Sequence, residues 1–186
     1  MKSLQEIYEN YSTPVGDGDK GTLHSYIPIY SELLEKYRKN SNFLEIGVSL
    51  GYSMKMWIDY FIESEIIGIE LNPQYSNPNC MIKELMEDSR CEIWIADATS
   101  DEIIDKIDNR LFDVIIDDGS HMLQDQIKSF LLLKSKMKEG GIYIIEDIEN
   151  ISNSSDVFYS LHNNCEIIDN RHIKGRHDDV LVIYRF

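Results

Sequence analysis

The chain lacks what several protein classes require. It has three cysteines, Cys80, Cys91 and Cys165, which are far apart and odd in number. This excludes a disulfide framework and suits reduced thiols, so a cytoplasmic protein is expected. No Cys-x-x-Cys pair or Cys/His cluster offers zinc a site. Apolar runs reach only about five residues, far short of the ~20 that cross a bilayer. The N-terminus, MKSLQEIYENYS, lacks the apolar stretch of a secretory signal, and none is expected. Basic residues are scarce, 18 Lys and Arg against 33 Asp and Glu, for a net charge of −15. Such an excess repels phosphate backbones and anionic lipid, so neither nucleic acid nor membrane is an expected partner. It also leaves carboxylates available to a hard cation. Repeats, low-complexity tracts and linkers are absent.

What is present is an alternation. Short apolar runs at Asn42–Ile46, Glu65–Ile69, Glu92–Ala96, Phe112–Ile116 and Gly141–Ile145 are mostly apolar on both sides, as strands buried between two helical layers are. Amphipathic segments lie among them, at Leu23–Lys39, Tyr52–Ile62, Asn79–Asp88, Ser100–Asp108 and Met122–Lys138. The pattern predicts an α/β, doubly wound, mostly parallel sheet. Two last runs, Cys165–Ile168 and Val180–Tyr184, are joined by a short polar connection and should be antiparallel. Five parallel strands and an antiparallel hairpin make a seven-stranded, Rossmann-like sheet that resembles the class I methyltransferases. The 186 residues suit a single domain, with 1–40 as leader, lid and first helix and 41–186 as the main body.

The first run leads into Glu45-Ile46-Gly47-Val48-Ser49-Leu50-Gly51 and then a helix. Glycine permits the tight turn and a close backbone approach to a ligand, and the helix start presents free N–H groups. A dinucleotide site would want Gly-x-Gly-x-x-Gly with its amides free for pyrophosphate. Here a carboxylate begins the loop and Ser49 stands at the middle position, which favours a cationic amino group. Glu70, 23 residues beyond Gly47, ends the second run and can accept ribose hydroxyls. Asp97 ends the third. The loop resembles motif I of the class I methyltransferases. That resemblance places Glu45, Gly47, Ser49, Gly51, Glu70, Asp97 and Asp117 on S-adenosylmethionine, with Asp97 beside the adenine.

The fourth run ends Asp117-Asp118-Gly119-Ser120-His121 and the fifth ends Glu146-Asp147. Adjacent strands would gather these acids, whose mutual repulsion a divalent cation relieves; oxygen donors favour magnesium, manganese or calcium. An imidazole at His121 can act as a general base. Capping of the next helix by Asp118 and Ser120 is the plainer alternative. Asp118-Gly119-Ser120-His121 with Glu146-Asp147 resembles the metal-dependent sugar O-methyltransferases, including macrolide deoxysugar, rhamnosyl and cephalosporin-hydroxylase-like relatives, over roughly residues 15–150. The resemblance implies Asp118, Glu146 and Asp147 as Mg2+ ligands, His121 with Asp118 as the catalytic pair, and a carbohydrate as the small-molecule partner. The macrolide enzymes carry an added N-terminal domain where this chain has a short leader, which leaves the acceptor and a homo-oligomer open.

The leader, Gly16–Tyr30, reads GDGDKGTLHSYIPIY. Its Lys20, His24, Tyr26 and Tyr30 suit either a mobile lid that meets substrate or a packing helix capped by Asp19 or Thr22. Two other readings stay open: a cofactor-binding partner protein without chemistry, and a methyltransferase with a nitrogen or carboxylate acceptor.

Overall fold

Alternation within each strand decides the layers. In β1 (Asn42–Ile46), Phe43 faces one side of the sheet and Leu44 the other, and both are fully buried. Both faces are likewise buried over most of β2 (Glu65–Glu70), β4 (Phe112–Asp117) and the last five residues of β5 (Met137–Ile145), while the edge strand β3 (Cys91–Ile95) exposes Glu92 and Ile95. Such strands leave the chain no choice but to cover both faces with helices. The computed structural model describes residues 1–11 and 18–186.

The seven strands, with β6 (Cys165–Asp169) and β7 (Val180–Arg185), lie in the order β3-β2-β1-β4-β5-β7-β6. The first five are mutually parallel. Strand β7 runs antiparallel to both β5 and β6, as the short connection requires. On one face, α1 (Leu4–Tyr8), α2 (Ile27–Leu33) and α3 (Tyr52–Tyr60) join Phe43, Ile66, Val114 and Ile144 in one core. Trp57 is its centre, with ring centroids 5.5 Å from both Tyr30 and Phe43. On the other face, α5 (Glu102–Ile107), α6 (Leu123–Leu133) and α7 (Ile151–Leu161) cover Leu44, Ile67, Ile115 and Ile145. Two short helices, α4 (Ile82–Leu85) and α8 (Arg171–Lys174), lie in connections. No helix among the described residues is long and apolar enough to cross a membrane.

Several expected boundaries move. The segment 23–39 is not one helix: residues 20–23 form a turn, α2 begins at Ile27 with Pro28 in its first turn, and a 3-10 turn follows at Glu35–Tyr37. Proline has no N–H to lose at a helix start, which sets the boundary there. Tyr26 occupies the N-cap without a side-chain cap, so neither Asp19 nor Thr22 fills that role. Asn79–Asp88 shrinks to Ile82–Leu85. Strand β5 starts at Met137, inside the segment read as helix, because Gly140 at φ 78° lets the strand bulge between its pairings with Phe112 and Val114.

Candidate active site

Parallel register brings Ile46, Asp117 and Ile145 side by side at the carboxyl ends of β1, β4 and β5. The residues after each therefore leave the sheet at one place, the edge where doubly wound sheets bind ligands. A cleft of about 730 Å³ opens there, well within the range of small-molecule sites.

The loop after β1 forms one wall. Gly47 has φ 87°, and a Cβ at that position would lie 1.9 Å from the Asp118 carbonyl oxygen. Ser49 holds φ 50°, and Gly51 at φ 96° is the N-cap of α3. Glu70 binds this loop to β2: its Oε2 accepts from the Val48 and Ser49 amides at 3.1 and 2.8 Å, and its Oε1 from the Asn72 amide at 2.8 Å. Asp97 is exposed on the cleft and accepts from the Thr99 amide and hydroxyl at 2.8 and 2.7 Å. Gly47, Ser49, Glu70 and Asp97 thus border one space; Gly51 stands behind it as a cap.

Two of the expected cofactor residues have scaffold partners in this structure. Glu45 is fully buried and does not line the cleft. Its Oε2 accepts from the Ser53 hydroxyl at 2.8 Å and its Oε1 from the Trp57 indole at 3.0 Å, so it braces α3 beneath the loop. Asp117 borders the cleft, but its oxygens serve the scaffold. It accepts from the Ser129 hydroxyl on α6, from Tyr143 Oη at 3.3 Å and from the Gly119 amide at 3.3 Å. Burial pushes its carboxyl up to about 6.

The acids of β4 and β5 form the opposite wall. Asp118 and Asp147 line the cleft together with His121, and one ligand atom from each falls within a span of 4.8 Å. Both His121 and Asp147 are held in the left-handed region, at φ 58° and 56°. Non-glycine residues so held cost of order 1–3 kcal/mol each and concentrate at functional sites. His121 Nε2 is 4.0 Å from Asp147 Oδ2, and its buried Nδ1 has no partner. Glu146 lies deeper: its Oε1 takes Lys20 Nζ at 2.5 Å and Tyr30 Oη at 2.7 Å.

The leader supplies the cation and the hydroxyls beneath these acids. Lys20, His24, Tyr26 and Tyr30 are all buried, and of the four only Lys20 lines the cleft. Tyr26 Oη donates to Asp147 Oδ1 at 2.7 Å, and His24 Nδ1 stands 3.1 Å from the same oxygen. His24, Tyr26 and Tyr30 thus pack beneath the carboxylates in this structure, as the packing alternative expects. Gly16 and Asp17 of that segment lie outside the described residues.

Burial dominates the electrostatics. It raises Glu146 well above the carboxylate range, Asp147 to about 8 and Glu45 to about 7. Burial works against the Lys20 ammonium too, but Asp118, Glu146 and Glu45 outweigh it and hold it charged. Three carboxylates, Glu45, Asp118 and Glu146, share one ammonium, and burial in low dielectric favours a proton or a further cation on the acids. Ligand atoms of Asp118, His121 and Asp147 lie within 4.8 Å of one another, as do those of Glu45, Asp118 and Glu146, and oxygen donors of this kind fit a hard divalent cation.

No family model matches the chain. Mycinamicin VI 2''-O-methyltransferase of Micromonospora griseorubida is 32% identical over a 156-residue alignment that covers 78% of this chain and 36% of that protein. Demethylmacrocin O-methyltransferase of Streptomyces fradiae is 30% identical over the same shares. The chain thus spans just over a third of the length of these relatives. Among solved structures, the mycinamicin-pathway methyltransferase MycE, in complex with magnesium and S-adenosylhomocysteine, superposes with a TM-score of 0.73 at 23% identity, covering 99% of this chain and 55% of MycE. The O-methyltransferase of Bacillus cereus follows with a TM-score of 0.65 at 17% identity, over 99% of this chain and 90% of that one. With five parallel strands, an antiparallel hairpin and sequence relatives of this kind, the chain is a class I methyltransferase-fold homologue of the sugar O-methyltransferases.

Proposed function

We infer that the chain transfers a methyl group from S-adenosylmethionine to a hydroxyl of a sugar or glycosylated small molecule, with the help of a divalent cation. One observation supports the reading: a glycine loop suited to the cofactor and the group Asp118, His121 and Asp147 stand on opposite walls of a single cleft, with Glu146 deeper beside Asp118. The Glu70 carboxylate receives the ribose hydroxyls, Asp97 lies toward the adenine, and the Gly47 backbone meets the methionine end. Asp118, Glu146 and Asp147 would hold magnesium, which would lower the pKa of the acceptor hydroxyl. His121 removes the proton as the new O–C bond forms and the C–S bond breaks, leaving S-adenosylhomocysteine. The remaining acceleration comes from aligning oxygen, methyl carbon and sulfur in one line.

The relatives' names give mycinamicin VI and demethylmacrocin with O-methyl transfer, and a hydroxyl acceptor on a glycosylated small molecule is proposed here. A protein that binds the cofactor without chemistry needs no organised cation site. Magnesium titrated calorimetrically into protein saturated with S-adenosylhomocysteine separates the two. We expect binding at a single site; a flat titration would favour the non-catalytic protein.

A further inference from the structure

A lysine is almost never fully buried unless it is paired. Lys20 is 2% exposed and reaches across the fold to Asp118 Oδ2 at 2.6 Å, Glu146 Oε1 at 2.5 Å and Glu45 Oε1 at 3.7 Å. Oxygens of these three acids lie within 4.8 Å of one another, so they already form a cage around a cation. Two of them, Asp118 and Glu146, are the residues assigned above to the divalent cation. The ammonium donates three hydrogen bonds and accepts none, so it cannot join a metal's ligand set and can only share its oxygens.

We propose that Lys20 is an internal counter-ion that competes with the divalent cation for Asp118 and Glu146. The proposal rests on the cation reading given above. In the cation-free protein the ammonium relieves repulsion between the acids and keeps them in place. When a divalent cation arrives, the two positive charges repel across a buried site where screening is weak.

The competition has a mechanical consequence, because Lys20 sits within a turn. Its carbonyl accepts from the Tyr26 amide at 2.9 Å, and the neighbouring Asp19 carbonyl accepts from the Thr22, Leu23 and His24 amides at 3.0 Å each. That turn leads into α2, whose Tyr30 shares the Glu146 oxygen with Lys20. A cation that weakens the ammonium's hold should loosen the turn, so cation loading and leader order are coupled in opposite senses.

Lys20→Met keeps the apolar stem and removes the charge. Magnesium chloride titrated into this variant by calorimetry should bind about tenfold or more tightly than to the unaltered protein, as relief of close charge repulsion implies. Its melting temperature in chelator should fall. Tyr30→Phe takes a neutral partner from the same Glu146 oxygen and serves as the control; it should not tighten binding. Equal or weaker binding by Lys20→Met, or equal tightening by Tyr30→Phe, would overturn the proposal. Should Lys20→Met fail to fold, the unaltered protein still decides. Magnesium should speed hydrogen exchange at the Thr22, Leu23, His24 and Tyr26 amides, and unchanged or slower exchange contradicts the competition. If neither the variant nor the unaltered protein binds magnesium, the cation reading itself falls, a result distinct from equal binding.

Discussion

Replacing His121 with alanine is expected to abolish measurable methyl transfer, a loss of about 10²–10⁴-fold, the usual contribution of a positioned general base. Affinity for S-adenosylhomocysteine should stay within a few-fold, because the cofactor wall is formed by the loop after β1, by Glu70 and by Asp97, none of which bonds to His121. The residue's φ of 58° adds a structural consideration. Alanine is strained there, whereas asparagine tolerates the left-handed region. His121→Asn therefore keeps the backbone and removes the base. Both variants should lose transfer alike. If asparagine restores activity, the role of His121 is conformational; if cofactor affinity collapses in both, His121 belongs to the cofactor wall.

Gly47→Ala is expected to damage both stability and cofactor binding. Alanine carries about 1–2 kcal/mol of strain in the left-handed region. The new methyl would also meet the Asp118 carbonyl oxygen at 1.9 Å, and forcing backbone aside in a packed site costs a further 1–3 kcal/mol or so. A loss of about 2–5 kcal/mol in denaturant unfolding follows from the two together. The displaced carbonyl belongs to Asp118, so the defect spreads from the cofactor loop to the acidic wall, and S-adenosylhomocysteine affinity should fall by about tenfold or more. Gly140→Ala is the control. Gly140 also has a positive φ, 78°, but nothing lies within 4 Å of its added methyl. It should show the conformational cost alone and leave the cofactor unaffected.

The strands were legible because they are buried on both faces, and a run such as Phe43-Leu44-Glu45-Ile46 has no other stable setting. The glycine loop was legible because positive φ confines the choice of residue. Both signals are local. The roles of the leader were not local. Lys20 meets Asp118 and Glu146 from 98 and 126 residues away, and no spacing rule connects a lysine in a glycine-rich leader to two strand ends. Its chemistry drew attention to the right residue, but not to the partner. The partners of Glu45 were hidden too: a carboxylate at the start of a cofactor loop reads as a ligand contact, and here Ser53 and Trp57, in the first and second turns of the next helix, donate to its oxygens. The helices α1 and α7 went unread, although Ser3 and Glu6 form a capping box ahead of α1. The four-residue α8 was hidden within the polar connection Asp169–Asp179, where Gly175 at φ 74° caps it.

Central to the proposed reaction is a divalent cation that Asp118, Glu146 and Asp147 would hold and that would lower the pKa of the acceptor hydroxyl. The most direct measurement is transfer of a labelled methyl group from S-adenosylmethionine to a panel of glycosylated macrolides, first in excess EDTA and then with magnesium restored. The account predicts that chelation stops transfer to a sugar hydroxyl and that magnesium recovers it. Transfer that proceeds undiminished in EDTA would contradict it.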